Sequence, residues 1–357
     1  MVVPTGVGAS IGGYAGDALP AARLLAEVVD TLITHPNVLN GAMLSWPMQN
    51  VLYVEGSQLD AFAEGQLLLR PLRNGAQKIG LLLDRGIEEP LMSRQLQVAE
   101  AARATLGIDV HHCVVTSRPV GVMLRLSKSG ASWGSVEDTD TLVQGARELI
   151  SRGCTAVAVV VRFPEDEELF AEYRAGRGVD AIAGAEALIS HVIGKSLQVP
   201  CAHAPAFSPT PCDASVSPKA CAEELGYSFL PCVLSYLHRA PQLLPLPLLN
   251  EKGESEGGSG GGSGGRGCIS AGDVDVVIAP YDALGGAAVL SLLGRGCTLI
   301  AVQENTTAMQ GQGNQRPGRI LVARSYAEAA GLVVALRAGI LPCALTADVP
   351  RLPITRL

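Results

Sequence analysis

The chain has few aromatic residues, no basic cluster, no regular cysteine framework and no long apolar run, and each gap closes off a class of function. Aromatics are 4% of the residues and charged residues 17%, against 48% hydrophobic. No apolar stretch approaches the roughly 18 residues that a membrane span needs. The longest, FLPCVLSYL, is broken by Pro231 and followed by His238 and Arg239, so a soluble protein is expected. The net charge is −7 and no Lys/Arg cluster tracks a nucleic-acid backbone, which excludes nucleic acid as a partner. Nine cysteines, an odd number without regular spacing, point to free thiols in a reducing compartment. The chain opens on a strand-like VVP rather than a signal or transit peptide. It therefore reads as a protein that works where it is made, or as one lacking a targeting segment. No internal repeat is evident.

What the chain does have is alternation. Short apolar, β-branched runs recur at Val2-Val3, Thr31 to Thr34, Val51 to Val54, Ile79 to Leu83, Val110 to Val115, Ala156 to Val161, Val274 to Ile278, Leu299 to Val302 and Ile320 to Val322. Between them lie segments with helical apolar spacing, among them LPAARLLAEVV, SRQLQVAEAARATLG, TLVQGARELI, IAGAEALISHVIG and YAEAAGLVVALRAG. This order predicts an α/β fold with a mostly parallel, doubly wound (Rossmann-like) sheet. The 357 residues leave room for two α/β lobes, drawn as 1–130 and 131–357. Asn250 to Gly267 holds no apolar residue and reads as a disordered Gly/Ser insertion, and Gly311 to Arg319 as a shorter loop.

Gly6, Gly8, Gly12 and Gly13 follow the first strand. A dinucleotide loop needs G-x-G-x-x-G, but Ile11 stands where the third glycine belongs and Gly12 comes one residue late. No lysine follows, so a nucleotide P-loop fails as well. The remaining expectation is an anion site of backbone N–H groups at a helix N-terminus. Asp17, the expected cap, supplies negative charge of its own there; Pro20 fits the first helical turn.

In open α/β sheets the ligand lies beyond the carboxyl ends of the strands. Those ends carry His35, Asn37 and Asn40, then Glu55, Asp84-Arg85, Tyr281-Asp282, and finally Asn305 and Thr306. Together they read as one polar crevice. In GVDAIAGAEALISHVIG, Asp180 is the expected N-cap and Gly194 the C′ residue. At about 100° per residue, Glu186 shares a face with Ile182, Ala185, Ile189 and Ile193, whereas His191 lies opposite as an ordinary surface histidine. An acid on an apolar stripe is paired, protonated or turned to a site, which makes Glu186 a candidate general acid or base beside His35. Cys201, His203, Cys212, Cys221 and Cys232 lack zinc spacing, so no metal is expected; His203 reads as a polar group at a strand end. Gly130-Ala131-Ser132-Trp133-Gly134 matches G-x-S-x-G, but the strand before it and the helix after it are not evident.

PTGVGASIGGYAGDALP, THPNVLNGAMLSWP, NVLYVEG, GVDAIAGAEALISH, PCAHAPA, ACAEELGYSFLPCVL and ENTTAM resemble an uncharacterised family of cyanobacteria and of plant and algal chloroplasts. The resemblance spans most of the chain outside the Gly/Ser insertion. It implies a chloroplast (stromal) setting and a removed transit peptide, and it brings no activity and no cofactor. Three readings remain open. The first is an enzyme acting on a small anionic metabolite, bearing phosphate or carboxylate, with Gly6, Gly8, Gly12, Gly13, Asn37, Asn40, Glu55, His203, Asn305 and Thr306 binding it and Glu186 or His35 as acid–base. The second is a non-catalytic binding or assembly factor, and the third a serine hydrolase using Ser132. The cofactor is unknown, and a homo-oligomer is compatible with each.

Overall fold

A computed structural model describes residues 1–3, 19–35, 48–72, 76–126, 132–176, 180–209, 212–218, 220–221, 229–246, 267–307, 319–347 and 349–355. The apolar runs become strands β1 (Val2–Val3), β2 (Leu32–Thr34), β3 (Val51–Tyr53), β4 (Leu67–Arg70), β5 (Ile79–Leu83), β6 (Val110–Val115) and β7 (Val122–Leu126). They continue as β8 (Ser132–Val136), β9 (Ala156–Arg162), β10 (Cys201–Ala206), β11 (Gln242–Pro245), β12 (Val276–Pro280), β13 (Thr298–Val302) and β14 (Arg319–Ala323). Six form a parallel sheet in the order β14-β13-β12-β1-β2-β3, and four form a second parallel sheet, β10-β9-β5-β6. β4 with β11 and β7 with β8 are antiparallel pairs.

The helices are α1 (Leu19–Ala26), α2 (Gly56–Ala63), α3 (Glu89–Leu106), α4 (Thr139–Ser151), α5 (Glu167–Arg174), α6 (Ala183–Leu197), α7 (Phe229–Leu237), α8 (Ala287–Gly294) and α9 (Tyr326–Arg337). Because side chains alternate across a strand, Val2, Ile33, Leu52 and Val277 pack with Phe62 and Leu292 on one face of the larger sheet. Val3, Leu32, Tyr53 and Ile278 face the other way, into a core shared with Ile79, Leu81, Ala158 and Ala202 of the smaller sheet. The smaller sheet's remaining face holds Leu82, Val157 and Val159 against Leu149 and Ile189. Both sheets are thus covered on both faces, which is why their strands read as unbroken apolar runs. FLPCVLSYL forms α7 despite Pro231, which falls in the first turn, where no backbone N–H is needed.

The chain is not laid out as two consecutive lobes. It builds β1–β3, crosses to the smaller sheet, and returns to finish the larger one with β12–β14. Parallel pairing of β1 with β12 sets Val2 beside Val277, so the larger sheet draws strands from both of the blocks 1–130 and 131–357. The seam lies between edge strands β3 and β10, where the Tyr53 hydroxyl donates to the Cys201 carbonyl at 3.1 Å. α7 packs over this seam on one side, touching β3, β9 and β10; α2 and α6 meet over it on the other.

Candidate functional site

The seam gathers the polar side chains that the apolar cores exclude. β3 runs into Glu55, the N-cap of α2, whose carboxylate accepts from the Ser57 and Gln58 backbone N–H groups and the Ser57 hydroxyl. Across the seam His191 of α6 sets Nε2 2.9 Å from Glu55 Oε1, close enough for an ion pair but off the line of a directed N–H···O bond. Glu55 is 1% exposed, whereas the His191 side chain is 37% exposed. Burial by itself would raise the Glu55 carboxyl. The neighbouring His191, the Ser57 hydroxyl and the Gln58 amide outweigh it and hold the group below its ordinary value. A buried carboxylate therefore backs an imidazole that solvent can reach, an arrangement suited to proton transfer.

About one turn away lies a second, buried pair. Glu186 Oε2 lies 3.5 Å from His203 Nε2, and His203 Nδ1 lies 3.1 Å from Ser190 Oγ. Glu186 and His203 are each 8% exposed. Just before α6, Asp180 accepts from the Ile182 N–H at 3.0 Å. Burial, reinforced by the charge of Glu186, holds the Asp180 carboxyl well above its ordinary value. Burial likewise raises the Tyr53 hydroxyl, with smaller contributions from Tyr236, Glu55, Cys201 and Glu186.

Several expectations change here. Of the three states open to Glu186, pairing, protonation or facing a site, the structure sets its carboxylate beside His203. His203 stands in the middle of β10 rather than at its end, because Ala204, Pro205 and Ala206 continue the pairing with β9. His191 is not an ordinary surface histidine: the face opposite the apolar stripe packs on α2. α6 begins after Ile182, with Asp180 two residues further out, and runs on through Gly194 to a left-handed Gln198. Gly194 marks a close approach instead of a helix end, since a Cβ there would come within 3.0 Å of Gln58 Nε2 and 3.1 Å of Glu55 Oε2.

His35, half-buried, follows β2, and Thr34 is in register with Tyr53, so His35 and Glu55 leave neighbouring strands. Asn305 and Thr306 follow β13, four strands from β3. At about 4.8 Å per strand that is roughly 19 Å, too far to share one small ligand with Glu55. Asn305 is buried and donates to the Tyr326 hydroxyl at 2.7 Å, while Thr306 is exposed. Asp282 accepts from the Thr307 N–H and hydroxyl. Asn305 and Thr306 therefore stand apart from the polar groups gathered at the seam. Gly6, Gly8, Gly12, Gly13, Asn37 and Asn40 lie outside the described residues.

The smaller sheet has its own switch point, between β5 and β9, and its polar groups are spent on one another. Asp84 accepts from the N–H groups of Gly86, Val120 and Arg162, and the Arg162 guanidinium is taken by Glu88 and Glu165. Ser132 opens β8 and accepts from the Gly184 N–H at 3.1 Å. A nucleophile elbow needs a strand-to-helix turn; Ser132 instead begins a strand, so the hydrolase expectation loses its structural basis. Among the described residues no group of three or more His, Cys, Asp or Glu side chains stands ready for a metal ion. No helix among them is long and apolar enough to cross a membrane.

Fold and site together define a doubly wound α/β protein with two histidine–carboxylate pairs at the seam of its sheets. The chain belongs to the family described as "Protein of unknown function (DUF3326)", which matches residues 1–346. It is also 48% identical over 348 residues to an uncharacterized lipoprotein of Synechococcus sp., a match covering 97% of this chain and 92% of that one. The resemblance to an uncharacterised cyanobacterial family is therefore shown, and neither match carries an activity.

Proposed function

We propose that this chain is an enzyme acting on a small anionic metabolite beyond the carboxyl ends of β1–β3, with His191 moving a proton and Glu55 orienting its ring. The observation that carries the reading is the buried Glu55 carboxylate set 2.9 Å from the solvent-accessible His191. Position supports it too. The larger sheet has its switch point between β1 and β12, where ligands of open α/β sheets bind. The strand that Gly6, Gly8, Gly12 and Gly13 follow in sequence lies at that point. His35 extends the same edge toward Glu55. The acid–base role passes from Glu186 to His191 because Glu186 is enclosed and already paired.

The test is a thermal-shift screen against inorganic phosphate, sugar phosphates and small carboxylates. A ligand at about 100 times its Kd stabilises the fold by roughly 2.7 kcal/mol, and His191→Asn is expected to remove turnover of any hit. Silence across the panel would overturn the reading. A non-catalytic binding or assembly factor is favoured by one observation, the exposed apolar side chains of Ile340, Leu341, Leu345, Val349, Leu352 and Ile354. Truncation after Thr346 that changes sedimentation, with no ligand response in either form, would support it. A chloroplast stromal location is proposed from the family alone; the lipoprotein designation belongs to the Synechococcus relative.

A further inference from the structure

We propose that His203 is a positioning residue: it pins α6 to β10 through Glu186 and Ser190 and thereby sets the His191–Glu55 pair. Glu186 and Ser190 are four residues apart, on one face of the helix and about 6 Å apart along its axis. The two nitrogens of the His203 ring reach both, Nε2 at 3.5 Å and Nδ1 at 3.1 Å. Contact at two heights on one face fixes the helix against both sliding and rotation. His191 comes directly after Ser190, so the rotation fixed at Ser190 is the rotation of His191. At a side-chain radius of about 5–6 Å, a turn of roughly 20° moves the imidazole by about 2 Å, enough to break a 2.9 Å contact.

The rest of the α6 surface packs without polar direction. Ile189 and Ile193 enter the apolar core of the smaller sheet, and small residues let other elements approach closely: Ala185 against Gly134, Gly184 against the Ser132 carbonyl, and Gly194 against Gln58 and Glu55. Apolar packing is non-directional, whereas the two polar contacts to His203 select one rotation. Burying a histidine and a carboxylate is no cheaper than burying apolar groups of the same size, so orientation is the more economical explanation for their presence. Among the described residues, Asp180 lies within electrostatic reach of Glu186, and the Tyr53 hydroxyl within reach of both Glu186 and Glu55.

The importance of this pin for turnover rests on the acid–base role proposed for His191, but its test does not. The chain has six histidines, few enough to follow by NMR of ring nitrogens in a 15N-histidine-labelled full-length protein. Ser190→Ala and Glu186→Ala are expected to move the His191 ring signals toward those of Glu55→Ala, the reference for a broken pair. Glu186→Gln, which keeps the length of the side chain and an oxygen facing His203, is expected to restore them. Urea midpoints separate these shifts from loss of fold, and Ser190→Ala, the mildest change, keeps the test open if Glu186→Ala fails to fold. His191 signals that stay in place while those of His203 move would overturn the proposal. A failed ligand screen would remove the acid–base reading and leave this result unaffected.

Discussion

Replacing Glu55 tests the seam most directly, because one carboxylate there both caps a helix and pairs with a histidine. In Glu55→Ala the cap is lost, at about 1 kcal/mol, and the Ser57 and Gln58 N–H groups lose their acceptor. Removing one partner of a buried ion pair costs about 3–5 kcal/mol. The exposure of His191 lets water replace part of what it loses, so the lower end, about 3 kcal/mol, is expected for the whole substitution. Glu55→Gln keeps the shape and an acceptor oxygen while losing the charge, and should cost about 1–2 kcal/mol. The pH dependence has a definite sign. The folded-state carboxyl lies below its ordinary value of 4.5, so its contribution is complete above that value and is lost as pH falls through the folded-state value. The stability gap between wild type and Glu55→Gln must therefore narrow as pH drops below about 4.5. Urea unfolding at pH 7, 5, 4 and 3.5, followed by far-UV circular dichroism, measures it. A gap that stays constant across that range, or a Glu55→Ala cost below about 1 kcal/mol, would refute the reasoning.

Three further outcomes follow from single contacts. Asp84→Ala takes the acceptor from the N–H groups of Gly86, Val120 and Arg162 on three separate segments; at about 1–3 kcal/mol for each unpaired group, little soluble protein is expected, with Asp84→Asn partly rescuing the yield. Tyr53→Phe removes the hydrogen bond across the seam but keeps the ring against Tyr236, so a loss of about 1 kcal/mol in urea unfolding is expected. Ser132→Ala should cost about 1 kcal/mol by removing the Gly184 acceptor. The wild-type protein should also resist a fluorophosphonate probe, and labelling that Ser132→Ala abolishes would restore the hydrolase reading.

Strands buried on both faces were legible because nothing but packing dictates their side chains. GLLL, AVAVVV and TLIAV stand in the structure almost as their apolar runs suggest. The strands that escaped have other causes. β10 reads CAHAPA, without a β-branched residue; a strand was legible only as far as His203, and pairing with β9 carries it on to Ala206. β7 (VMLRL) and β8 (SWGSV) are partly exposed and form an antiparallel pair, with Gly134 of β8 lying against Ala185 of α6. The exchange of the chain between two sheets leaves no local trace, because the pairing of β1 with β12 joins residues more than 270 positions apart.

The site was half legible for a related reason. Periodicity along α6 separates the face carrying Glu186 from the face carrying His191, and it does so correctly. It cannot say what covers the second face. For a helix on the outside of one sheet, the face away from the stripe meets water, and a histidine there is unremarkable. α6 lies on a seam, so its second face meets α2 and the buried Glu55. The trace of that contact was present in the glycines rather than in the polar residues. A glycine inside a helix costs about 1 kcal/mol relative to alanine and persists where another element comes close. Gly194 lies against Gln58 and Glu55, and Gly56 against His191 Nε2, where a Cβ would come within 3.0 Å. Two glycines on separate helices, each facing the other helix's polar side chain, define the approach that brings His191 onto Glu55.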